Sequence, residues 1–136
     1  MPQMAATAVR GHTVVLNGRA VQFDVSPRLV GGRLEAGLRS MFESQGAKVT
    51  WNSQNKIARS VSGALAVEVP VGQQMAKVNG APVDMGAPAS IMQGRTMIPV
   101  RFFAGVYGAG LYWDGETKTA MVQTGDHRIA VRVPSQ

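Results

Sequence analysis

Shifted by 62 residues, the chain matches itself. Fourteen of the 56 positions from 17 to 72 carry the same residue as the position 62 further on, without a gap. The pairs begin Asn17/Asn79, Gly18/Gly80 and Val21/Val83, and continue through Gly32/Gly94, Arg33/Arg95, Arg39/Arg101, Gly46/Gly108 and Trp51/Trp113 to Lys56/Lys118 and Val71/Val133. A constant offset of this kind marks repeated structural units that bury their apolar faces on one another. With only two copies, the expectation is two units packed together: an extension over residues 1–12, a first unit over 13–74 and a second over 75–136.

Within each unit the local signals run in the same order. Residues 13–16 alternate into Asn17-Gly18 and return over 20–24, while 75–78 lead through Asn79-Gly80 into 82–85. Asn-Gly is a strong hairpin signal because both residues accept the positive φ of a type I′ turn. Pro82 lacks an amide donor, which points to an edge strand. The clearest stretch is Gly94-Arg95-Thr96-Met97-Ile98-Pro99-Val100-Arg101-Phe102-Phe103. Its short apolar run reads as a strand stopped at Pro99, after which Val100, Phe103, Ala104 and Tyr107 recur at helical spacing. In the first unit, Leu34-Glu35-Ala36-Gly37 stands at the corresponding place. Leu34, Leu38, Met41 and Phe42 fit one face of a longer helix there, and the strand is expected to be altered or lost. Gly46 and Gly108 can close the helices in a left-handed cap. The following strands, separated by turns, complete a ββ(β)αβββ unit. The expected class is α+β and β-rich: two tandem repeats, each a bent antiparallel sheet with one short helix.

Composition bounds the function classes. The 136 residues, with 45% hydrophobic and 16% charged, suit one ordinary domain or two small lobes sharing a core. Sixteen Gly and seven Pro favour short strands and turns. No apolar run approaches the roughly 18 to 20 residues of a membrane-spanning helix. The absence of Cys removes disulfides, thiolate metal sites and cysteine nucleophiles. Net charge is +6, yet residues 13–74 hold seven Lys/Arg against four Asp/Glu and residues 75–136 hold six against four. A solvated, mildly basic surface explains this better than a nucleic-acid-binding block. Residues 1–8 lack the basic and apolar regions of an export signal. A processed start preceded by an added methionine and an intact cytoplasmic start both remain open.

The pattern of an Asn-Gly hairpin, Gly-Arg-Thr-Met-Ile-Pro-Val-Arg-Phe-Phe, a helix, Gly-Ala, a strand ending Tyr-Trp-Asp-Gly and then Thr-Lys-Thr resembles the copper amine oxidase N-terminal-like stalk domain of bacterial exported and cell-envelope proteins. The likeness spans roughly residues 13–133 and is fullest in the second unit. It implies an extracytoplasmic, noncatalytic accessory domain, remote from any catalytic copper.

Chemistry-bearing constellations are sparse. A copper site would draw on several imidazoles or clustered thioethers, whereas His12 and His127 occupy non-equivalent positions. Met1 and Met4 are a weaker candidate still, and Met41, Met85, Met97 and Met121 fit apolar faces as core filler. Asp114 and Glu116 sit in a turn beside Gly115 and Lys118, and no nucleophile elbow or phosphate loop occurs. The expectation is no cofactor, no metal and no catalysis. Arg33, Arg39, Arg95 and Arg101 recur at equivalent places and are expected to be structural clamps. Arg39 is placed to pair with Glu43 four residues on, and Arg101 with Asp114 or Glu116. Trp51 and Trp113 share the strand face of Val49 and Leu111, hence the core.

Differences between the units point to contacts. Ser40, Gln45 and Thr50 of the first unit are replaced by Phe102, Tyr107 and Tyr112 in the second. Phe102 lies off the helix stripe and Tyr112 alternates away from Trp113, so both are expected to face outward. They would seal the junction between units or, with Tyr107, Arg101 and Lys118, bind a cell-wall glycan or another surface protein. The expected location is secreted or cell-envelope, with strand-mediated homodimers as a further option through hairpin edges and the irregular 33–37 segment. The alternative is sequence-independent nucleic-acid binding by a basic, aromatic-bearing β surface.

Overall fold

The computed structural model describes residues 14–16, 19–21, 23–114, 119–124 and 127–132. The first hairpin is β1 (Val14–Leu16) and β2 (Arg19–Val21), followed by β3 (Arg28–Val30), β4 (Arg33–Gly37) and helix α1 (Leu38–Ser44). Then come β5 (Lys48–Asn52), β6 (Ile57–Ser62) and β7 (Leu65–Pro70). The same succession follows as β8 (Met75–Val78), β9 (Ala81–Asp84), β10 (Ser90–Met92), β11 (Arg95–Pro99), helix α2 (Val100–Val106), β12 (Gly110–Asp114), β13 (Thr119–Thr124) and β14 (His127–Arg132). The molecule is α+β and strand-rich. From β3 through β7, every element is matched by one starting 62 residues later, as Lys48 and Gly110 illustrate for β5 and β12.

The strands do not sort into one sheet for each half of the chain. One five-stranded sheet has the order β5-β6-β7-β8-β9, another β12-β13-β14-β1-β2, and a four-stranded sheet β10-β11-β4-β3 joins them. The expected arrangement, each unit with its own sheet, is therefore corrected: all three sheets draw on both halves. The 74/75 boundary runs through the first of them. Local alternation explains why the expectation went astray, since a hairpin presents the same pattern of side chains whichever sheet edge receives it.

The joints repeat in register. Val67 pairs with Val78 and Glu68 with Lys77 across β7 and β8. Adding 62 to the first of each pair and subtracting 62 from the second gives Ile129 with Leu16 and Ala130 with Val15, the observed pairing of β14 and β1. In the central sheet Ala36 lies opposite Ile98, flanked by Gly37 with Met97 and Glu35 with Pro99. Residues 62 apart thus meet each other at the middle of the sheet.

Turn and cap chemistry hold these pieces in place. Asn79 and Gly80 take φ of 50° and 84°, the geometry of the type I′ turn, and connect β8 to β9. Pro82 lies on β9, at the sheet edge, as its missing amide demands. Pro99 occupies the extended position before α2, with φ −62° and ψ 133°. Its fixed φ suits that post and its absent amide costs the helix nothing. Beyond α1, Gly46 has φ 88° and the amide of Ala47 donates to the carbonyl of Phe42 at 3.1 Å. Beyond α2, Gly108 has φ 64° and Ala109 donates to Ala104 at 2.8 Å, the same left-handed cap.

The core is one cluster. Val49, Ala58, Val67, Val69 and Ala76 from the β5–β9 sheet meet Leu38, Met41 and Phe42 of α1, Ala36 and Ile98 at the centre, and Val100, Phe103 and Ala104 of α2. Phe42 and Phe103 meet edge-to-face, centroids 5.1 Å apart and planes at 85°, and Tyr107 lies against both. Met41, Met85 and Met97 are buried as core filler. The 33–37 stretch corrects a second expectation. It is a strand in the interior of the central sheet, not a lost strand, an exposed edge or the start of a longer helix. Hydrogen bonding to β3 on one side and β11 on the other overrides the helical spacing of Leu34 with the α1 residues.

Candidate functional site

A cleft of 480 Å³ opens where the two edge strands β5 and β10 approach the start of α1. Its apolar surface comes from Phe23, Val25, Leu38, Val49, Trp51 and Ile91, and its polar surface from Asp24, Arg39, Ser40, Thr50, Arg95 and Thr96. Trp51 is 40% exposed, contrary to the core position expected for it. Alternation does place Trp51 on the face of Val49, which is buried. However, β5 ends its sheet, and the large indole reaches past the core into the open cleft. Ile91, on the outer strand of the central sheet, is likewise exposed.

The two guanidinium groups of the cleft are held by carboxylates. Nε and Nη2 of Arg95 donate to the same oxygen of Asp24, Oδ2, at 2.9 and 2.7 Å. Nη1 of Arg39 donates to Glu43 Oε2 at 3.0 Å and to the carbonyl of Val49 at 3.1 Å, tying α1 to β5. Each pair is half open to water and adds only about 0.2–1 kcal/mol to stability. Their effect is chiefly geometric, fixing planar polar groups beside the indole.

A second cleft, of 370 Å³, lies beside α2 and β9, with Val78, Val83, Met85, Gly86, Arg101 and Phe102 among its lining. Subtracting 62 from 85, 86, 101 and 102 gives Phe23, Asp24, Arg39 and Ser40 of the first cleft. The chemistry differs at three of the four positions. Met85 and Phe102 are buried, whereas Phe23 and Ser40 are half-buried. Gly86 stands in place of Asp24, and Arg33 Nε lies 3.8 Å from where a Cβ on Gly86 would be. Asp84 takes over the acidic role nearby. Hydrogen bonds from the Gln74 side chain and the Gly86 amide, then the charge of Arg33, hold its carboxyl below the usual range.

The contact surface expected from sequence is therefore rearranged. Phe102, expected to face outward, is only 5% exposed: it belongs to the buried core cluster and lines the second cleft with Val78, Val83 and Met85. Tyr107 is half-buried in the aromatic cluster with Phe42 and Phe103, and its hydroxyl is buried without a partner among the described residues. Burial pushes the phenol pKa up. Arg101 is exposed at the second cleft. Lys118 lies outside the described residues, as do Glu116, His12, Met1 and Met4. Tyr112, Trp113, Asp114, Met121 and His127 have described backbone in β12, β13 and β14 only. Sequence reasoning missed Trp51 and Ser40 as cleft residues; the signal for the latter was present, since position 40 carries a serine where the position 62 further on carries a phenylalanine.

Among the described residues Glu35 is the buried acid, 7% exposed in β4, with Arg28 opposite it on β3. Loss of solvent raises its pKa above 4.5, and the charges of Arg28 and Arg33 only partly offset the rise. It faces neither cleft.

The fold is thus that of a strand-rich α+β domain with a surface cleft, and comparison with protein families makes the assignment specific. The family model for the copper amine oxidase N-terminal domain matches residues 15–132, and the chain belongs to that family. Comparison with curated proteins gives no match. In the copper amine oxidases this domain is a noncatalytic accessory. Among the described residues no three His, Cys, Asp or Glu side chains converge, and the side chains of His12 and His127 lie outside them.

Proposed function

We propose that this chain is a noncatalytic, extracytoplasmic binding or scaffolding module of a bacterial envelope or secreted protein. Two stalk-like units, residues 13–74 and 75–136, each lend a hairpin to the sheet of the other. The observation that carries this reading is family membership across residues 15–132, because the domain is an accessory one in the enzymes that give the family its name. The partner is a cell-wall glycan or a surface protein. Binding falls to the open cleft beside Trp51, because Phe102 is taken up by packing. The nucleic-acid alternative loses ground at that cleft, where both cations are already paired with carboxylates.

Two measurements test the proposal. Fractionation of the source cells with an antibody to the chain is expected to find it outside the cytoplasm. Purified protein is expected to co-sediment with isolated cell envelopes. Recovery in the cytosolic fraction, with no envelope binding, overturns the reading.

A further inference from the structure

We infer that the cleft between β5, β10 and α1 is a binding site for a neutral pyranose sugar, with Trp51 as its stacking platform. The inference rests on the binding-module reading and names the ligand class for it.

Three observations converge. First, the cleft carries a small side chain, Ser40, where the matching position of α2 carries Phe102, which is buried and with Met85 lines a smaller cleft of 370 Å³. The same place in the fold thus accepts an aromatic ring on one helix and a small hydroxyl on the other. At 480 Å³ it falls within the range of small-molecule sites, about 300–1,000 Å³.

Second, the exposed indole of Trp51 and the neighbouring Ile91 form an apolar platform at the mouth. The weakly polar C–H face of a pyranose ring stacks on such a surface, and the indole loses little conformational freedom in doing so.

Third, the polar groups at the rim match ring hydroxyls. Among the described residues Asp24 spends only Oδ2 on Arg95, leaving Oδ1 to accept, while Arg39 spends only Nη1 on its two partners, leaving Nε and Nη2 to donate. Vicinal hydroxyls offer a donor and an acceptor side by side, and the planar carboxylate and guanidinium offer their complements. With Arg39 paired to Glu43 and Arg95 to Asp24, the wall carries balanced charge and favours a neutral ligand over an anionic polymer.

The test titrates the whole chain with tri-N-acetylchitotriose and with cellotriose, followed by calorimetry and by tryptophan fluorescence. The wild type is expected to bind at least one of them. Trp51→Ala is expected to weaken binding by at least about tenfold. Ser40→Phe, which plugs the cleft with the residue the other helix carries, is expected to abolish it while circular dichroism and the melting temperature stay close to wild type. Should Ser40→Phe fail to fold, Ser40→Leu serves as the filling variant.

No binding of either trisaccharide at millimolar concentration overturns the inference, as does binding that survives both substitutions. Envelope co-sedimentation of wild type and Ser40→Phe alike would sink the sugar site and leave the binding-module reading standing. Loss of co-sedimentation from the wild type would remove that reading itself.

Discussion

Glu35 shows what a single buried charge does to this sheet. Its carboxyl sits opposite Arg28, and loss of solvent outweighs the attraction of the two arginines, so its pKa rises on folding. A raised acid pKa means that the folded state binds the proton more tightly than the unfolded chain. The associated stability is complete below about pH 4.5, the ordinary carboxylate value, and is lost as the pH climbs through the raised one. Glu35→Gln is accordingly expected to raise the melting temperature at pH 7 and to leave it unchanged at pH 3.5. Melting curves at the two pH values check this, and equal gains at both would assign the effect to packing. Tyr107 offers a neutral counterpart. Its hydroxyl is buried with no partner among the described residues, and an unmet hydroxyl costs more than it returns. Tyr107→Phe is expected to stabilise by about 1 kcal/mol in urea denaturation, whereas a loss of stability would reveal a partner for the hydroxyl.

At the scale of elements, the hairpin joints matter most. Asn79 serves both as a turn residue with φ 50° and as a tie to the neighbouring strand. Its amide donates to the carbonyl of Ala66 at 2.7 Å, and its Oδ1 accepts from the amide of Ala66 at 2.8 Å. Asn79→Ala removes the second bond and places a residue poorly suited to left-handed backbone in the turn. The expected cost is about 1–2 kcal/mol, readable as faster amide exchange across β7 and β8; unchanged exchange would show the joint to be held by strand pairing alone. Elements of this kind were legible in the sequence because their signals are local: Asn-Gly for the hairpin, Pro99 before α2, glycine after each helix. The site was less so. Alternation gives the face on which Trp51 lies but not that β5 ends a sheet, and helical spacing separates Phe102 from the stripe of Val100 and Phe103 without revealing that the core cluster takes in Phe102 as well.

For the whole molecule, the shared sheets make the two halves interdependent. Residues 13–74 leave β7 without its neighbour, and residues 75–136 leave β14 without β1. Thermal unfolding is therefore expected as one transition, with calorimetric and van't Hoff enthalpies equal. Two resolved transitions would contradict the shared architecture. The opposition of Ala36 and Ile98 at the middle of the central sheet, both fully buried, has a further consequence. Self-association of the first half would set alanine against alanine and leave a void; self-association of the second would crowd isoleucine against isoleucine. Only the mixed encounter fits small to large. Made as separate polypeptides and combined, the halves should therefore choose each other in a one-to-one complex, and the covalent link between them should prove a convenience rather than the source of their fidelity.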